Sequence, residues 1–233
     1  MRQRRVTGIE ERLEPYAGLI LRGDGSDIAP DGRAVRWYQR SSPRYILPEG
    51  FKRVYAEIGC GRGLFINTLA AGDPEGLYIG IEGCKTIVIR AIQKTSAAGY
   101  KNVFYIDNFI NDAESAFGER ALDGIFLNFS DPWPKERHAD RRLTAPAKAK
   151  KYLHVLKDEG FVSFKTDGEA FFKYSLETLT NAGFQIAGAA CDIATAAHSN
   201  AELTGRATET PTEYELKFRE FGRPIYHFVA IKG

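Results

Sequence analysis

The sequence predicts an α/β fold: a mostly parallel sheet of seven strands, helices on both faces and an antiparallel strand at the C-terminus. From residue 53 onward, short apolar runs rich in β-branched and aromatic residues alternate with longer segments of helical periodicity. Glycines and acids follow these runs, as they do where a strand turns into a helix. Regular alternation of this kind is typical of βαβ units, which place parallel strands in one sheet.

The apolar runs define the strands, and the segments between them define the helices. The last run is predicted to be antiparallel because only a short connection precedes it. The segment TPTEYELKFREFG is predicted to be a helix, with Thr212 and Glu215 as a capping box and Gly222 as the stop. Strands are predicted at 53–59, 77–82, 102–107, 122–129, 160–166, 184–191 and 225–231, and helices near 63–71, 84–98, 110–117, 145–157 and 168–182.

Length and composition predict one main domain, residues 51–233, preceded by an N-terminal segment, residues 1–50. That segment divides into a basic tail (1–7), a short helix indicated by Ile9, Leu13 and Tyr16, and a polar arm (22–50). The net charge is only +2, so nucleic-acid affinity would have to come from local clusters. The three cysteines are far apart, which argues against a disulfide framework or a zinc site and favours a reducing cytosol. No apolar run approaches the length of a membrane span.

A glycine-rich turn follows the first strand, in the sequence EIGCGRG. Its glycines, Gly59, Gly61 and Gly63, follow a G-x-G-x-G spacing rather than the dinucleotide G-x-G-x-x-G. Glu57 just before them would repel a pyrophosphate and attract an ammonium or sulfonium group. The turn therefore favours S-adenosylmethionine over NAD, although any tight strand-to-helix turn also uses glycine.

Acids also end the next strands of the predicted sheet. Glu82 lies where an acid accepts hydrogen bonds from ribose hydroxyls, and Asp107, followed by Asn108, lies where an adenine amino group is accepted. Asp131 ends the fourth strand, which faces the methyl end of the cofactor. Each acid alone fits a solvated residue or a helix cap. Together with the glycine turn they predict a cofactor site.

The stretch NFSDPWPKERHADRRL joins Asp131 to a run of cations. Pro132 restricts Asp131 to an extended conformation and so fixes the direction of the carboxylate and of the Trp133 ring. We predict that residues 135–142 contact RNA phosphate, because they adjoin the predicted methyl pocket. The lysines of the following helix (Lys148, Lys150 and Lys151) are predicted to be a solvated face.

The same stretch, with EIGCGRG, FKTD and TEYELKF, resembles the tRNA (guanine-N7-)-methyltransferase family in its bacterial form over residues 53–232. The resemblance implies the Rossmann-like class I methyltransferase fold, S-adenosyl-L-methionine as cofactor and tRNA as substrate. It also implies methyl transfer to N7 of a variable-loop guanosine, position 46 of the tRNA. A cytoplasmic protein with no obligatory protein partner, as monomer or homodimer, is expected.

The resemblance also implies roles for individual residues. Asp131 is the predicted catalytic residue, and no metal is expected, since the four histidines have no ligand spacing. The predicted cofactor-binding residues are Glu57, Gly59, Gly61, Gly63, Glu82, Asp107, Asn108 and Asp131. Substrate contact is predicted for Lys135, Asp167, Thr212, Glu213, Tyr214 and Glu215, and RNA contact for Arg137, His138, Arg141 and Arg142.

Two alternatives stay open at the level of the sequence. One is a methyltransferase of the same fold that acts on a small molecule or a protein, against which the 135–142 run argues. The other is a non-catalytic RNA-binding relative, against which the full set of strand-end acids argues. For Asp167, a role as cap of the helix that starts near Gly168 is compatible with substrate contact.

Overall fold

The computed structural model describes residues 7–24, 42–193 and 202–233, with side chains from residue 206 onward in the last range. Most of the predicted basic tail and of the polar arm lies outside these residues. The short N-terminal helix is present: α1 spans Ile9–Leu13 and continues as a 3-10 helix, Glu14–Leu19.

Within the described residues, seven strands form a single sheet in the order β3-β2-β1-β4-β5-β7-β6. The first five are mutually parallel, and β7 is antiparallel to both of its neighbours, β5 and β6. The predicted fold class is therefore confirmed. The strands are β1 Arg53–Ile58, β2 Gly76–Ile81, β3 Val103–Ile106, β4 Leu122–Asn128, β5 Leu156–Thr166, β6 Phe184–Ala190 and β7 Tyr226–Lys232.

The helices lie close to their predicted positions, with two differences. β5 begins at Leu156, where the sequence suggested the end of a helix, and the helix Glu202–Glu209 (α7) was not predicted at all. A short 3-10 helix, Glu136–Arg141, carries most of the basic run. The remaining helices are α2 Leu64–Ala71, α3 Lys85–Ala98, α4 Ala113–Phe117, α5 Pro146–Val155, α6 Glu169–Ala182, α7 Glu202–Glu209 and α8 Glu213–Arg219.

Apolar side chains fill both faces of the sheet. In β1, Tyr55 packs into the layer beneath α2 and α3, whereas its neighbour Ala56 packs into the layer beneath α5 and α6. The alternation follows from the period of two along a strand, which sends successive side chains to opposite faces. Burial on both faces explains why the strands read as continuous apolar runs in the sequence.

The described N-terminal residues cover the edge strand β3. Ile20 pairs in parallel with Tyr105, and the backbone N–H of Leu21 donates to the Tyr105 carbonyl at 2.8 Å. Leu13 and Ile20 are buried in the layer beneath α2 and α3. An edge strand that is covered in this way offers fewer free backbone groups to other chains.

The strand order reverses between the neighbouring strands β1 and β4. From β1 the chain continues through β2 and β3 toward one edge of the sheet, and from β4 it continues through β5 toward the other edge. In an open α/β sheet, the crevice at the carboxyl ends of the strands at such a point is where ligands bind.

Candidate active site

Two adjoining cavities open at the carboxyl ends of β1 and β4. The first is about 270 Å³ and the second about 410 Å³. Gly59, Asn128 and Phe129 line both, so the two cavities meet above these strand ends. The first also touches the ends of β2 and β3, and the second reaches α8.

The glycine turn bends the chain from β1 into α2. Gly59, Gly61 and Gly63 all have positive φ, at 86°, 57° and 76°. Gly63 is required for a second reason: a Cβ atom there would lie 2.6 Å from the Cβ of Ala91 in α3. The side chain of Asn67 donates to the Gly63 carbonyl at 2.8 Å and holds the turn against the helix. The turn therefore presents backbone, without side chains at these positions, to the cavities.

Glu57 is buried at the end of β1 with one oxygen bonded and one not. The side-chain amide of Asn128 donates to Glu57 Oε1 at 2.9 Å. Its Oε2 has no hydrogen-bond partner among the described residues. Burial raises the pKa of Glu57 to about 8, more than the Asn128 hydrogen bond lowers it. A cationic group that donates to Oε2 would compensate this desolvation, so the site fits an ammonium ligand.

Glu82 lies at the end of β2 and lines the smaller cavity. Its Oε1 accepts from the backbone N–H of Cys84 at 2.8 Å. Burial is the main cause that raises the pKa of Glu82, and the nearby Asp131 carboxylate adds to it. The ring of Phe109 packs so closely on Gly83 that a Cβ atom there would lie 2.5 Å from it. This arrangement places an acid beside an aromatic wall.

Asp107 and Asn108 follow β3, but only Asn108 lines the smaller cavity. Asn108 Oδ1 accepts from the backbone N–H of Phe109 at 2.9 Å, which orients its amide. Asp107 is mostly buried and pairs with Lys85, whose Nζ lies 3.2 Å from Oδ2. Lys85 also donates to Glu10 of α1 at 2.7 Å. The N-terminal helix is thereby connected to this end of the site.

Asp131 is exposed and lines the smaller cavity, between two residues with unusual backbone conformations. Phe129 has φ 50° and Trp133 has φ 39°, both in the left-handed region that non-glycine residues rarely adopt. The backbone N–H of Phe129 donates to the Lys165 carbonyl at 2.8 Å and helps to hold the first of them. Such conformations persist where the surroundings fix them, and they cluster at functional sites.

Arg142 stabilises the Asp-Pro-Trp-Pro turn through hydrogen bonds to its backbone. Its side chain is buried, and its Nε donates to the Pro132 carbonyl at 3.1 Å, while Nη2 donates to the Trp133 carbonyl at 3.2 Å. The guanidinium also lies 4.3 Å from the ring centroid of Tyr174 in α6. With its donors directed at carbonyls inside the fold, Arg142 is placed to hold the turn and not to contact phosphate.

The other members of the basic run lie at the surface. Lys135 and Arg137 are exposed. Arg141 lines the smaller cavity, with its Cζ 5.1 Å from the Trp133 ring centroid. The His138 ring meets Trp133 edge-on, at 5.7 Å between centroids. Partial desolvation and then the charges of Arg141 and Arg137 lower the pKa of His138 below its ordinary value.

Lys148 differs from the solvated face predicted for its helix. It is half-buried, lines the smaller cavity, and its Nζ donates to the Arg141 carbonyl at 3.3 Å. Burial lowers the pKa of Lys148. The prediction was wrong for this residue because α5 turns it toward the site, whereas Lys150 is exposed as expected.

The first turn of α8 forms one wall of the larger cavity. Thr212 caps the helix, its hydroxyl oxygen accepting from the backbone N–H of Glu215 at 2.9 Å. Glu213 accepts from the backbone N–H of Leu64 at 3.2 Å and from Lys94 Nζ at 2.8 Å. Tyr214 is 44% exposed and lines the same cavity. Three of the four residues predicted in this run therefore face the site.

Glu215, the fourth, is fully buried and does not line either cavity. Its Oε2 pairs with Nζ of the equally buried Lys165 at 3.0 Å, and its Oε1 contacts Arg219. Lys165 also donates to the Thr210 carbonyl at 2.9 Å. We therefore revise the expected role of Glu215 from substrate contact to anchoring α8 on β5. The predicted reach of its side chain back to the cap residue is replaced by this ion pair.

Asp167 follows β5 and is half-buried. The N-cap of α6 is Gly168, without a side-chain cap, so the alternative role of Asp167 as helix cap is wrong. Partial desolvation and then the Asp167 carboxylate raise the pKa of Tyr214. Asp167 itself lines neither cavity.

Sequence reasoning missed several residues of the site. Asn128 Oδ1 and Ser130 Oγ are buried polar atoms without hydrogen-bond partners among the described residues, and both side chains line the smaller cavity. Their place at the end of β4, directly before Asp131, was the signal that could have found them. Phe109 and Lys85 carried no such signal, since their roles depend on packing.

Two features are absent from the described residues. No cluster of His, Cys, Asp and Glu in this part of the chain could hold a metal ion. None of the helices in the described ranges is long and apolar enough to cross a membrane.

Comparison with known proteins agrees with this geometry. A family model described as "Putative methyltransferase" matches residues 52–228. The solved structures that resemble the chain include a 16S rRNA methyltransferase, KamB, with a TM-score of 0.57 and 12% identity over 78% of this chain and 89% of that one. Another is an antibiotic-related methyltransferase, with a TM-score of 0.53 and 24% identity over 78% of this chain and 87% of that one. These likenesses show the fold.

Curated relatives show the family. A tRNA (guanine-N(7)-)-methyltransferase of Staphylococcus epidermidis is 34% identical over 99% of this chain and 97% of its own length. The enzyme of that name from Staphylococcus aureus is 36% identical over 94% and 96%, and that from Lachnoclostridium phytofermentans is 37% identical over 77% and 80%. On this similarity, and with its strand-end acids gathered around two joined cavities, the chain belongs to the tRNA (guanine-N(7)-)-methyltransferase family.

Proposed function

We propose that this protein transfers the methyl group of S-adenosyl-L-methionine to N7 of a guanosine in tRNA, the guanosine of the variable loop by resemblance. One observation carries the proposal: the buried Glu57, with a carboxylate oxygen that no described residue satisfies, lines the larger cavity, which joins the smaller cavity that Arg141 of the cationic segment lines. A buried acid calls for a cationic ligand, and exposed cations suit RNA phosphate.

The residues present fit the proposed cofactor. Glu57 Oε2 would accept from the ammonium group, and Glu82 from the ribose hydroxyls. Asn108 and Phe109 would border the adenine, with Asp107 accepting from its amino group. The glycine turn leaves room for the cofactor to approach the protein backbone, since a Cβ atom at Gly59 or Gly61 would meet open space. When bound, S-adenosylmethionine supplies an electrophilic methyl group, whose carbon–sulfur bond breaks with its electron pair leaving on sulfur.

The chain's own contribution to the reaction is alignment and electrostatics. Guanine N7 has a free lone pair, so no side chain has to remove a proton before attack. The purine becomes positively charged as its new bond to carbon forms, and the Asp131 carboxylate at the cavity wall stabilises that charge. Asp167 and Tyr214 would orient the base in line with the methyl group.

The remaining expected contacts concern the RNA and the cell. Lys135, Arg137 and Arg141 bind phosphates next to the target, with His138 as a ring against Trp133. Lys135 and Glu213 are candidate contacts to the guanosine itself. The product is formed in the cytoplasm, where tRNA is found, by a monomer or homodimer without an obligatory partner.

The test is to incubate the protein with unmodified tRNA and methyl-labelled S-adenosylmethionine. N7-methylguanosine is cleaved after reduction and aniline treatment, so the modified position can be read from the fragment length. A single cleavage at the variable-loop guanosine is expected. Label in the tRNA without aniline cleavage would contradict the N7 position, and label in metabolites or proteins but not in tRNA would favour the small-molecule or protein alternative.

A further inference from the structure

A second group of exposed cations and aromatic rings borders the larger cavity. We call it the α8 rim and define it by Arg62 of the glycine turn and by Tyr214, Lys217, Phe218 and Arg223. Arg62, Tyr214 and Lys217 line the larger cavity. The 135–141 segment borders the smaller cavity, so the shared strand ends lie between it and the α8 rim.

The rings of Phe129, Tyr214 and Phe218 form a continuous row of contacts that leads out of the site. Phe129, at the junction of the cavities, lies 4.8 Å from Tyr214 between ring centroids. Tyr214 stacks on Phe218 at 4.2 Å, with an angle of 21° between the planes. The guanidinium of Arg223 lies 5.3 Å from the Phe218 centroid. A path of π faces that ends in a cation therefore runs from the cavity to the surface.

The α8 rim is held in place by groups beneath it. Lys94 of α3 donates to Glu213 at 2.8 Å and to the Arg62 carbonyl at 3.0 Å, so it ties the start of α8 to the glycine turn. The Lys94 charge also offsets the acid in the first turn of α8. The exposed cations Arg62 and Lys217 consequently stand on one fixed wall.

Stacked rings with cations alongside are what proteins use to bind unpaired nucleotides. Aromatic faces take bases that have left the RNA stack, and Lys or Arg take the phosphates between them. The ordinary alternative is a solvated helix face. That alternative does not explain why the rings continue from Phe129 inside the site, or why Arg62 and Lys217 both line the larger cavity.

We propose that the α8 rim is a second RNA-contact surface, which binds unpaired nucleotides flanking the target guanosine. Arg62 and Lys217 contact their phosphates, and Phe218 with Arg223 takes the face of one base. The inference rests on the proposed tRNA methylation. With the 135–141 segment on the other side, the RNA is held on both sides of the base that enters the site.

The test measures binding of unmodified tRNA over a range of salt concentrations. Loss of one phosphate contact lowers the slope of log K against log salt by about 0.7 for single-stranded RNA. The double variant Arg62→Gln/Lys217→Gln should therefore lose roughly 1.4 from the slope, two such contacts. The charge-retaining Arg62→Lys/Lys217→Arg should keep it. Lys52→Gln, an exposed cation at the opposite end of β1, is the control and should change nothing.

Phe218→Leu separates stacking from charge: it should weaken tRNA binding about 10-fold with an unchanged slope. An unchanged slope in the double Gln variant would overturn the proposal. So would loss of S-adenosylmethionine affinity in calorimetry without a change in slope, because Arg62 and Lys217 would then serve the cofactor carboxylate. If the unaltered protein neither binds nor methylates tRNA, the proposed function itself fails, and with it the surface.

Discussion

Asp131 is the carboxylate to which the proposed catalytic role is assigned. It lines the smaller cavity on a turn whose two flanking residues have left-handed backbone conformations. We expect Asp131→Asn to lower turnover about 100-fold, because the developing positive charge of guanine loses its counter-charge, while cofactor affinity changes little. Single-turnover methylation and calorimetry measure the two quantities. Asp140→Asn, an exposed acid on the nearby 3-10 helix, is the matched control, and an unchanged rate for Asp131→Asn would refute the role.

Arg141 and Arg142 are neighbours in sequence with different environments. We expect Arg142→Lys to lower the free energy of unfolding by about 1–3 kcal/mol, since one ammonium cannot serve both carbonyls and the Tyr174 ring. In a Trp37→Phe background, Trp133 is the single tryptophan, so its fluorescence reports the turn. Arg141→Lys should leave stability unchanged. Equal effects of the two substitutions would show that Arg142 has no special role in the turn.

The buried Glu57 makes cofactor binding depend on pH. Its pKa is raised to about 8, so at pH 7 the carboxyl group is protonated and must lose its proton before it can accept from an ammonium group. We expect S-adenosylmethionine affinity to rise about tenfold per pH unit as Glu57 ionises, up to about pH 8, and then to fall as the cofactor's own α-ammonium group loses its proton. Calorimetry between pH 6 and 9 measures this. Glu57→Gln should bind weakly without that slope, and an identical pH slope in the variant would exclude Glu57 as the cause.

The same proton has the opposite effect on the cofactor-free protein. The native state keeps it up to a pKa of about 8, whereas the unfolded chain releases it near its ordinary value of 4.5. Between these values the native state binds more protons, so this group's contribution to stability is present at low pH and is lost as the pH rises toward 8. Affinity and apoprotein stability should thus change in opposite directions over the same range.

At the scale of elements, the Lys165–Glu215 pair decides where α8 sits. Both side chains are fully buried, and burial lowers the pKa of Lys165, partly offset by Glu215. We expect Lys165→Met to destabilise the protein by about 3–5 kcal/mol, because it leaves a buried carboxylate without its main partner. The double variant Lys165→Met/Glu215→Leu should recover part of that loss. Urea unfolding of the single and double variants measures the coupling, and strictly additive effects would contradict it.

Most elements could be predicted because their sequence pattern is local. The five parallel strands lie under helices on both faces and therefore read as apolar runs ended by an acid. The start of β5 could not be predicted, since Lys157, Asp158 and Glu159 are polar and resemble a turn. For the site, the strand-end positions of Glu57, Glu82 and Asp131 were enough to single out these acids as candidates. The orientations of Arg142 and Glu215 were not predictable, because they depend on Tyr174 and Lys165, partners brought together only by the fold.

For the molecule as a whole, the described N-terminal residues belong to the same core as the sheet. Leu13 is 1% exposed and packs in the layer beneath α2 and α3. We expect Leu13→Ala to lower the free energy of unfolding by about 2–5 kcal/mol while unfolding remains one transition by all probes. Ile46→Ala, at a residue that is 84% exposed, should have little effect. A separate early transition in the Leu13 variant would show that the N-terminal segment is an independent unit.

Lys85 connects helix α1 to the end of β3, where the adenine contact is expected. Lys85 holds Glu10 of α1 at 2.7 Å and Asp107 at 3.2 Å, so one ammonium is shared by a surface helix and by the expected adenine contact. A hydrogen bond from the adenine amino group to Asp107 would weaken the Asp107–Lys85 pair and so change the ion pair between Lys85 and Glu10. Linkage is reciprocal: whatever free energy the cofactor adds to the docking of α1, the docking of α1 adds to the cofactor. Helix α1 would then be a remote determinant of methyl-donor affinity.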